Sequence, residues 1–291
     1  MDTARIAALL EPFLEHPLSP SQLDQISMYI DLLLRWNSRI NLTAIRHEAE
    51  IVTRHFGESF FLASHLFPKE RGARTLSSAN ADSAQPAEDS QLSSSCHPER
   101  SRAESEAIAS AESKARPEQR RRDPYIPSPP ARPKGNLPTP SNPPRVLDIG
   151  SGAGFPALPL KIWAPYLQLT LIESNHKKAA FLREVARALT LTNINVISDR
   201  AEVLAASPDV PQADVVTLRA VEHFDAVLSI AVTFLARSAS LALLMGTNQL
   251  PHLTTMTTVN WRQPIRLPQS HTRVLSIGVR RESGNNLSLQ A

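Results

Sequence analysis

The chain has one cysteine, Cys96, in 291 residues. A lone thiol cannot close an intrachain disulfide, and it cannot seed a cysteine-rich metal site. The adjacent Cys96-His97 pair sits in low-complexity sequence with no further ligands, so it is not read as a metal site. No run of about 20 apolar residues exists, so no membrane-spanning helix is expected. The N-terminus lacks a basic segment followed by an apolar core, which argues against a secretory signal. A cytoplasmic, reducing location is the expectation. Aromatic residues are few, at 5%, whereas proline reaches 24 residues, and one segment accounts for much of this imbalance. Residues 71–143 turn to Ser, Ala, Pro, Arg and Glu without a periodic apolar face. Such a composition cannot bury enough apolar surface to offset the entropy of ordering, so a long disordered insertion is expected there. Removing it leaves about 215 residues, enough for one α/β domain with a helical extension.

Strong charge of one sign is also missing. The formal net charge is +3, from 31 Lys and Arg against 28 Asp and Glu. The segment 71–143 holds 11 basic and 9 acidic residues, and the remainder holds 20 and 19. The part expected to fold is therefore nearly neutral. Bulk charge is no argument for nucleic acid, and any such surface must be a local patch.

What the sequence does contain is the stretch Arg145-Val-Leu-Asp-Ile-Gly-Ser-Gly-Ala-Gly-Phe-Pro156. A short apolar strand over Val146 to Ile149 breaks into three spaced glycines. A helical pattern then runs through Leu158, Leu160 and Ile162 and stops before Pro165. Strand, glycine turn and helix open a nucleotide-binding α/β unit, in which missing Cβ atoms let a ligand approach the backbone. The helix start adds free N–H groups and a positive dipole end. A dinucleotide fingerprint spaces its glycines G-x-G-x-x-G. Here the spacing is G-x-G-x-G with Asp148 two residues before, which resembles motif I of the S-adenosylmethionine-dependent methyltransferases without its last glycine. Leu169 to Glu173 reads as the next strand, ending in a carboxylate able to bind both ribose hydroxyls. That placement would also suit a nicotinamide dinucleotide. Asp148 either meets the ligand or ties down the glycine turn by accepting N–H bonds.

The rest of the chain supplies elements in order. Ser19-Pro20-Ser21-Gln22 looks like a capped helix start, followed by Leu23, Ile26, Ile30, Leu33 and Leu34 on one face. A second helix is expected from about Ala49 to Leu66, with His55 a structural residue. Trp36 is expected in the core. Asn175 to Leu189 reads as an amphipathic helix and Asn195 to Ser198 as a strand with a loop after it. Ala213 to Thr217 reads as a strand, Phe224 to Leu235 as a helix and Leu241 to Met245 as a strand. Residues 261–281 should give two final strands, the last weakened by Gly278.

Trp36-Asn37-x-x-x-Asn41-Leu42-Thr43, Arg54-His55-x-x-x-Ser59 and the Asp148 to Pro156 motif together resemble the RsmG family, also called glucose-inhibited division protein B. The resemblance covers about residues 23–67 and 145–246, and more weakly the C-terminal tail, and 71–143 has no counterpart in it. It implies a Rossmann-like class I S-adenosylmethionine-dependent methyltransferase acting on guanine N7 in bacterial 16S rRNA of the small ribosomal subunit. It implies residues 1–70 as an N-terminal helical extension and 144–291 as the methyltransferase domain, monomeric, without metal. Gly150, Gly152, Phe155 and Glu173 become the expected cofactor-binding residues. Ala201 and Glu202 join them by matching positions that contact the cofactor, and Arg219 by matching a Ser-Arg-Ala segment. No catalytic side chain is singled out. Ala157 and Met245 depart from the pattern, which often has Gly and Lys there, and Met245 removes a positive charge near the strand ends where RNA should lie. Two other readings stay open on sequence: a methyltransferase for a small molecule or protein, and a ribosome-binding relative with weak or lost activity.

Overall fold

The computed structural model describes residues 1–69, 141–220 and 223–281. Residues 71–140 of the low-complexity segment, with Cys96 and His97, lie outside the described residues. Helix α1 (Thr3–Leu10) opens the chain, and Asp2 caps it by accepting from the Arg5 amide. The sequence reading had begun only at Ser19 and missed this helix. Next comes α2 (Pro20–Asn37), with the full capping box: Ser19 Oγ accepts from Gln22 N, and Gln22 Oε1 accepts from Ser19 N. The same glutamine donates to Ile162 O at 2.7 Å, so the cap also docks α2 against the first sheet-covering helix. The expected second helix is present but not uniform. It consists of α3 (Glu48–Glu50), a π-helical stretch Ile51–Gly57 and α4 (Glu58–Leu66). Such wide turns change which side chains face inward, and they recur at functional sites.

Eight strands form one sheet. They are β1 (Arg145–Ile149), β2 (Gln168–Ile172), β3 (Ile194–Ile197), β4 (Ala213–Arg219), β5 (Leu235–Gly246), β6 (Val259–Trp261), β7 (Ile265–Arg266) and β8 (Arg273–Arg280). Their order is β3-β2-β1-β4-β5-β8-β6, with β7 also paired to β8. The first five strands are parallel, and β8 runs antiparallel to β5. The helices between them are α5 (Ala157–Trp163), α6 (His176–Ala188), α7 (Ala201–Ala205), α8 (Phe224–Thr233) and α9 (Leu250–Thr254). The chain end yields three strands rather than two, because β6 and β7 both use β8 as partner. A short helix, α7, stands where a loop was expected. Gly278 has a packing role: a Cβ there would strike Val259 and Trp261, so the missing side chain lets β6 lie against β8.

Alternation along the strands divides the core in two. On β5, Ala242 and Leu244 face one cluster while Leu241, Leu243 and Met245 face the other. The first cluster takes Ile26, Tyr29, Ile30, Phe56 and Phe60 from the N-terminal helices together with Leu158, Leu160, Phe181 and Leu182. The N-terminal helices are thus part of the main core. The second cluster takes Leu228, Ala231, Phe234 and Leu253. Strand order reverses between β1 and β4, and in open α/β sheets that switch, at the carboxyl ends, is where ligands bind. Among the described residues no helix is long and apolar enough to cross a membrane, and no group of side chains could hold a metal ion.

Candidate cofactor cleft and its cationic neighbour

The turn after β1 sits at that switch. Gly150, Gly152 and Gly154 all have positive φ, at 68, 55 and 85°. L-residues pay steric strain in this region, which explains the glycines. Each has a different neighbourhood. A Cβ on Gly152 would meet nothing closer than Gly150 O at 3.7 Å, so its face is open. A Cβ on Gly154 would collide with the Tyr29 hydroxyl and with Leu158. The third glycine therefore serves packing against α2. Tyr29 fixes this by donating to Ala153 O at 2.5 Å while its ring stacks on Phe155, centroids 5.3 Å apart. His55 stacks on the other side of Phe155 at 4.6 Å. Three rings thus brace the turn from beneath.

The turn's amides are satisfied by neighbours. Gly150 N and Ser151 N donate to Ile172 O, and Gly152 N donates to Glu173 Oε2 at 2.8 Å. Glu173 Oε1 accepts from Asn175 N at 2.8 Å. Each carboxylate oxygen has two lone-pair sites, so Glu173 keeps acceptor capacity after these bonds. Asp148 does not tie down the turn through N–H bonds, as one sequence reading had it. Its Oδ1 accepts from the Thr217 hydroxyl at 2.6 Å across β1 and β4, and its Oδ2 is buried with no partner. Burial pushes this carboxyl up to about 6, against the pull of the Thr217 hydrogen bond.

Two clefts share the turn. One, of about 370 Å³, is lined by Gly150, Gly152, Glu173, Asp199, Ala201 and Glu202, among others. The other, of about 310 Å³, is lined by Gly150, Gly152, Phe155, Arg54, Arg219 and Arg273, with Thr43 and His55. The seven sequence-predicted residues therefore divide. Glu173, Ala201 and Glu202 border the first cleft, Phe155 and Arg219 the second, and Gly150 and Gly152 both. Lys178 and Ala220 also border both and had not been singled out. Ala220 takes a left-handed φ of 48° at the end of β4, where tertiary structure overrides a preference the sequence alone suggests.

Around the second cleft stands an ion cluster that sequence reasoning missed. Glu58 is 2% exposed. It accepts from Arg273 Nε at 2.8 Å and Arg273 Nη2 at 2.9 Å, a two-pronged pair, and from Arg219 Nη2 at 3.1 Å. Arg54 Nε lies 3.5 Å from the same carboxylate. Arg219 also donates to Arg54 O at 2.6 Å, from the π-helical stretch. His55 bonds Thr43 Oγ1 through Nε2 at 2.8 Å. Burial, with Arg219, Arg54 and Arg273 nearby, pushes its imidazole down to about 2, so it is neutral at working pH. The one signal in the sequence was a Glu58 flanked by Phe56, Phe60 and Phe61, with Arg54 one helical turn earlier. Met245 does not lie on this surface: it is 3% exposed, inside the second core cluster. The cations near the strand ends come from Arg54, Arg219 and Arg273 instead.

An orphaned acidic oxygen under the turn, spare acceptors on Glu173 and open space over Gly152 fit a cationic nucleoside. The family model for GidB, rRNA small subunit methyltransferase G, matches residues 22–73 and 137–269. A Ribosomal RNA small subunit methyltransferase G of Roseiflexus castenholzii is 33% identical over 205 residues, covering 70% of this chain and 56% of that protein. One from Chloroflexus aggregans is 30% identical over 220 residues, covering 75% and 62%. One from Bacillus subtilis is 28% identical over 205 residues, covering 70% and 56%. The aligned residues thus span less than two thirds of these relatives' length.

Proposed function

We propose that this chain, which belongs to the rRNA small subunit methyltransferase G family, methylates N7 of a guanine in 16S rRNA with S-adenosylmethionine as donor. The observation that carries this reading is the pairing of the glycine turn with two buried carboxylates, Asp148 and Glu173, at the switch between β1 and β4. Gly150 and Gly152 give close backbone approach. Glu173 offers its remaining lone pairs to ribose hydroxyls, and Ala201 and Glu202 border the base side. Phe155 and Arg219 complete the site from across the turn. Asp148, buried and lining neither cleft, acts on a cationic ligand through its charge rather than by contact. Bound there, the cofactor supplies an electrophilic methyl group on a sulfonium.

The chain's own task is then modest. Guanine N7 carries a lone pair and no proton, so no general base is required. His55, held neutral by burial, has no proton to move in this scheme. Rate comes from holding the base in line and from acceptors that favour the cationic base as charge develops. N7 faces the major groove, too deep and narrow in A-form RNA for a protein to enter. The target therefore lies in a loop or is extruded. On this reading residues 1–70 and 144–291 work together as one monomer.

The test is methyl transfer by the full chain. Small subunits lacking the modification are incubated with tritiated S-adenosylmethionine, digested to nucleosides and separated. Label in 7-methylguanosine is expected. Label elsewhere, or none, refutes the proposal. Gly152→Asp serves as the control: it adds a carboxylate beside Glu173 at a position with room for a Cβ, so cofactor binding should vanish while cooperative unfolding persists.

A further inference from the structure

Arg54, Arg219 and Arg273 converge on one buried carboxylate, and Lys178 borders the same cleft. Glu50, 44% exposed, reaches Arg54 only at 3.9 Å. Among the described residues, four cations thus face Glu58 and Glu50 along this wall, and the buried Asp148 acts on Arg219 from behind it, which leaves an excess of one positive charge. Like charges packed this way repel, and they stay together because Glu58 grips them. Burial foremost pulls the Arg219 guanidinium down to about 10; Glu58 opposes this, Arg273 and Arg54 add to it, and Asp148 opposes it more weakly. A cluster with unspent positive charge beside a ligand turn is an anion site, and guanidinium groups suit phosphate because their planar forks match its oxygens.

We propose that the outer rim of this cleft, beyond the part that Phe155 and Arg219 line for the cofactor, holds a phosphodiester group of single-stranded RNA next to the target guanine, with Arg54 and Arg273 as the contacts and Glu58 as the positioning residue. The inference rests on the proposed function, because it assumes that the polymer presents a base at the adjacent glycine turn. Exposure favours a polymer over a small-molecule carboxylate. The Arg54 side chain is 45% exposed at the rim and Arg273 18%, whereas Arg219, deeper in, is 7% exposed. A rim contact suits a chain that remains largely in water while one phosphate is gripped. Arg273 uses its Nε and Nη2 on Glu58, which fixes its fork and leaves its remaining N–H groups to a ligand. The Arg54-His55 motif of the sequence thereby acquires a division of labour within one cleft: the arginine stands exposed at the rim, and the histidine lines the wall stacked on Phe155.

The experiment compares the full wild-type chain with Arg54→Gln and Arg54→Lys. Binding of an unmodified 16S rRNA fragment, without cofactor, is followed by fluorescence anisotropy across a salt series. S-adenosylmethionine affinity is measured by calorimetry, and kcat and KM with small subunits. Loss of one phosphate contact should shrink the slope of log affinity against log salt by about 0.7. It should raise the RNA KM about tenfold, the scale of one charge-assisted hydrogen bond. The change should fall on KM rather than kcat, with cofactor affinity retained. Arg54→Lys should restore the salt slope but only part of the affinity. Any contribution of the Arg120-Arg-Arg122 run is common to all three proteins and cancels in the comparison. Lower cofactor affinity with an unaltered salt slope would mean that the cleft takes the cofactor's own carboxylate, and the inference falls. No change in either also overturns it, leaving the cluster a purely structural ion pair. Wild-type protein that shows the arginine-dependent salt slope yet methylates no guanine overturns the proposed function and leaves the phosphate site standing.

Discussion

Glu173 and Glu58 are both buried carboxylates near the same turn, and they are satisfied in opposite ways. Glu173 is served by the backbone, through Gly152 N and Asn175 N. Glu58 is served by side chains, through three guanidinium groups. The first arrangement neutralises no charge, so the negative charge and two lone-pair sites stay available to hydroxyl groups. The second overcompensates, so the surroundings stay positive. One turn thus separates a face suited to a nucleoside from a face suited to a phosphate. The comparison also predicts that two buried acids differ in what they cost to remove. Backbone donors can turn to water or to a neighbouring carbonyl, whereas a buried guanidinium without its carboxylate is a stranded charge.

The strongest way to break that contrast is Glu58→Ala. It leaves Arg219 and Arg273 without the carboxylate they bond, and loss of one partner of a buried pair typically costs about 3–5 kcal/mol. Urea unfolding should show the drop, and a loss no larger than that of Glu173→Ala would make the two acids equivalent after all. Glu173→Ala should destabilise by about 1–3 kcal/mol for two orphaned amides, and weaken S-adenosylmethionine binding on a similar scale. Turnover at saturating cofactor should change less, and calorimetry beside steady-state rates separates the two. Lost turnover at full affinity would assign Glu173 to the chemistry instead.

A third buried acid, Asp148, sharpens the comparison by its pH dependence. Its folded value of about 6 lies above its ordinary 3.8, so the fold holds more protons than the unfolded chain between those values. Its contribution to stability therefore rises as pH falls from 6 towards 4. His55 works the other way. Its folded value of about 2 lies below its ordinary 6.5, so acid loads the unfolded chain with a proton first and stability falls below 6.5. In wild-type protein the two slopes oppose each other between pH 6 and 4. Asp148→Asn removes one of them, so acid destabilisation should steepen by at most about 1.4 kcal/mol per pH unit, the limit for a single proton. Urea midpoints at four pH values check this, and parallel curves for the two proteins would contradict it.

Local features were legible in the sequence. The glycine spacing, the Ser19 cap, the apolar strands and the acid at the end of β2 all depend on residues within a few positions of each other. Glu173 could be placed because its role follows from strand position and backbone N–H groups, which every sequence supplies. The Glu58 cluster could not, since two of its three partners stand 161 and 215 positions away and are chosen by the fold. For the same reason Tyr29 went unnoticed: it reads as one more apolar residue of α2 until the fold brings Ala153 to its hydroxyl. The packing role of Gly278 was not legible because strand propensity weighs the residue alone, while Val259 and Trp261 lie against it in the fold. The π-helical stretch has no counterpart in the apolar spacing, which fits an ordinary helix nearly as well.

The end of α4 is moored to the sheet layer. Trp163 Nε1 donates to Phe67 O at 2.9 Å, and the Lys69 ammonium lies 4.0 Å over the same indole. The chain leaves the core at this mooring and is back in it at β1. Both flanks are held by contacts among the described residues, and for a flexible loop between fixed ends the length enters the free energy as loop-closure entropy. That term grows logarithmically, and each doubling of length costs about 0.6 kcal/mol. Insertion or deletion between the two flanks therefore carries little loop-closure penalty, whereas substitution of Trp163 or Tyr29 removes hydrogen bonds that hold the core itself.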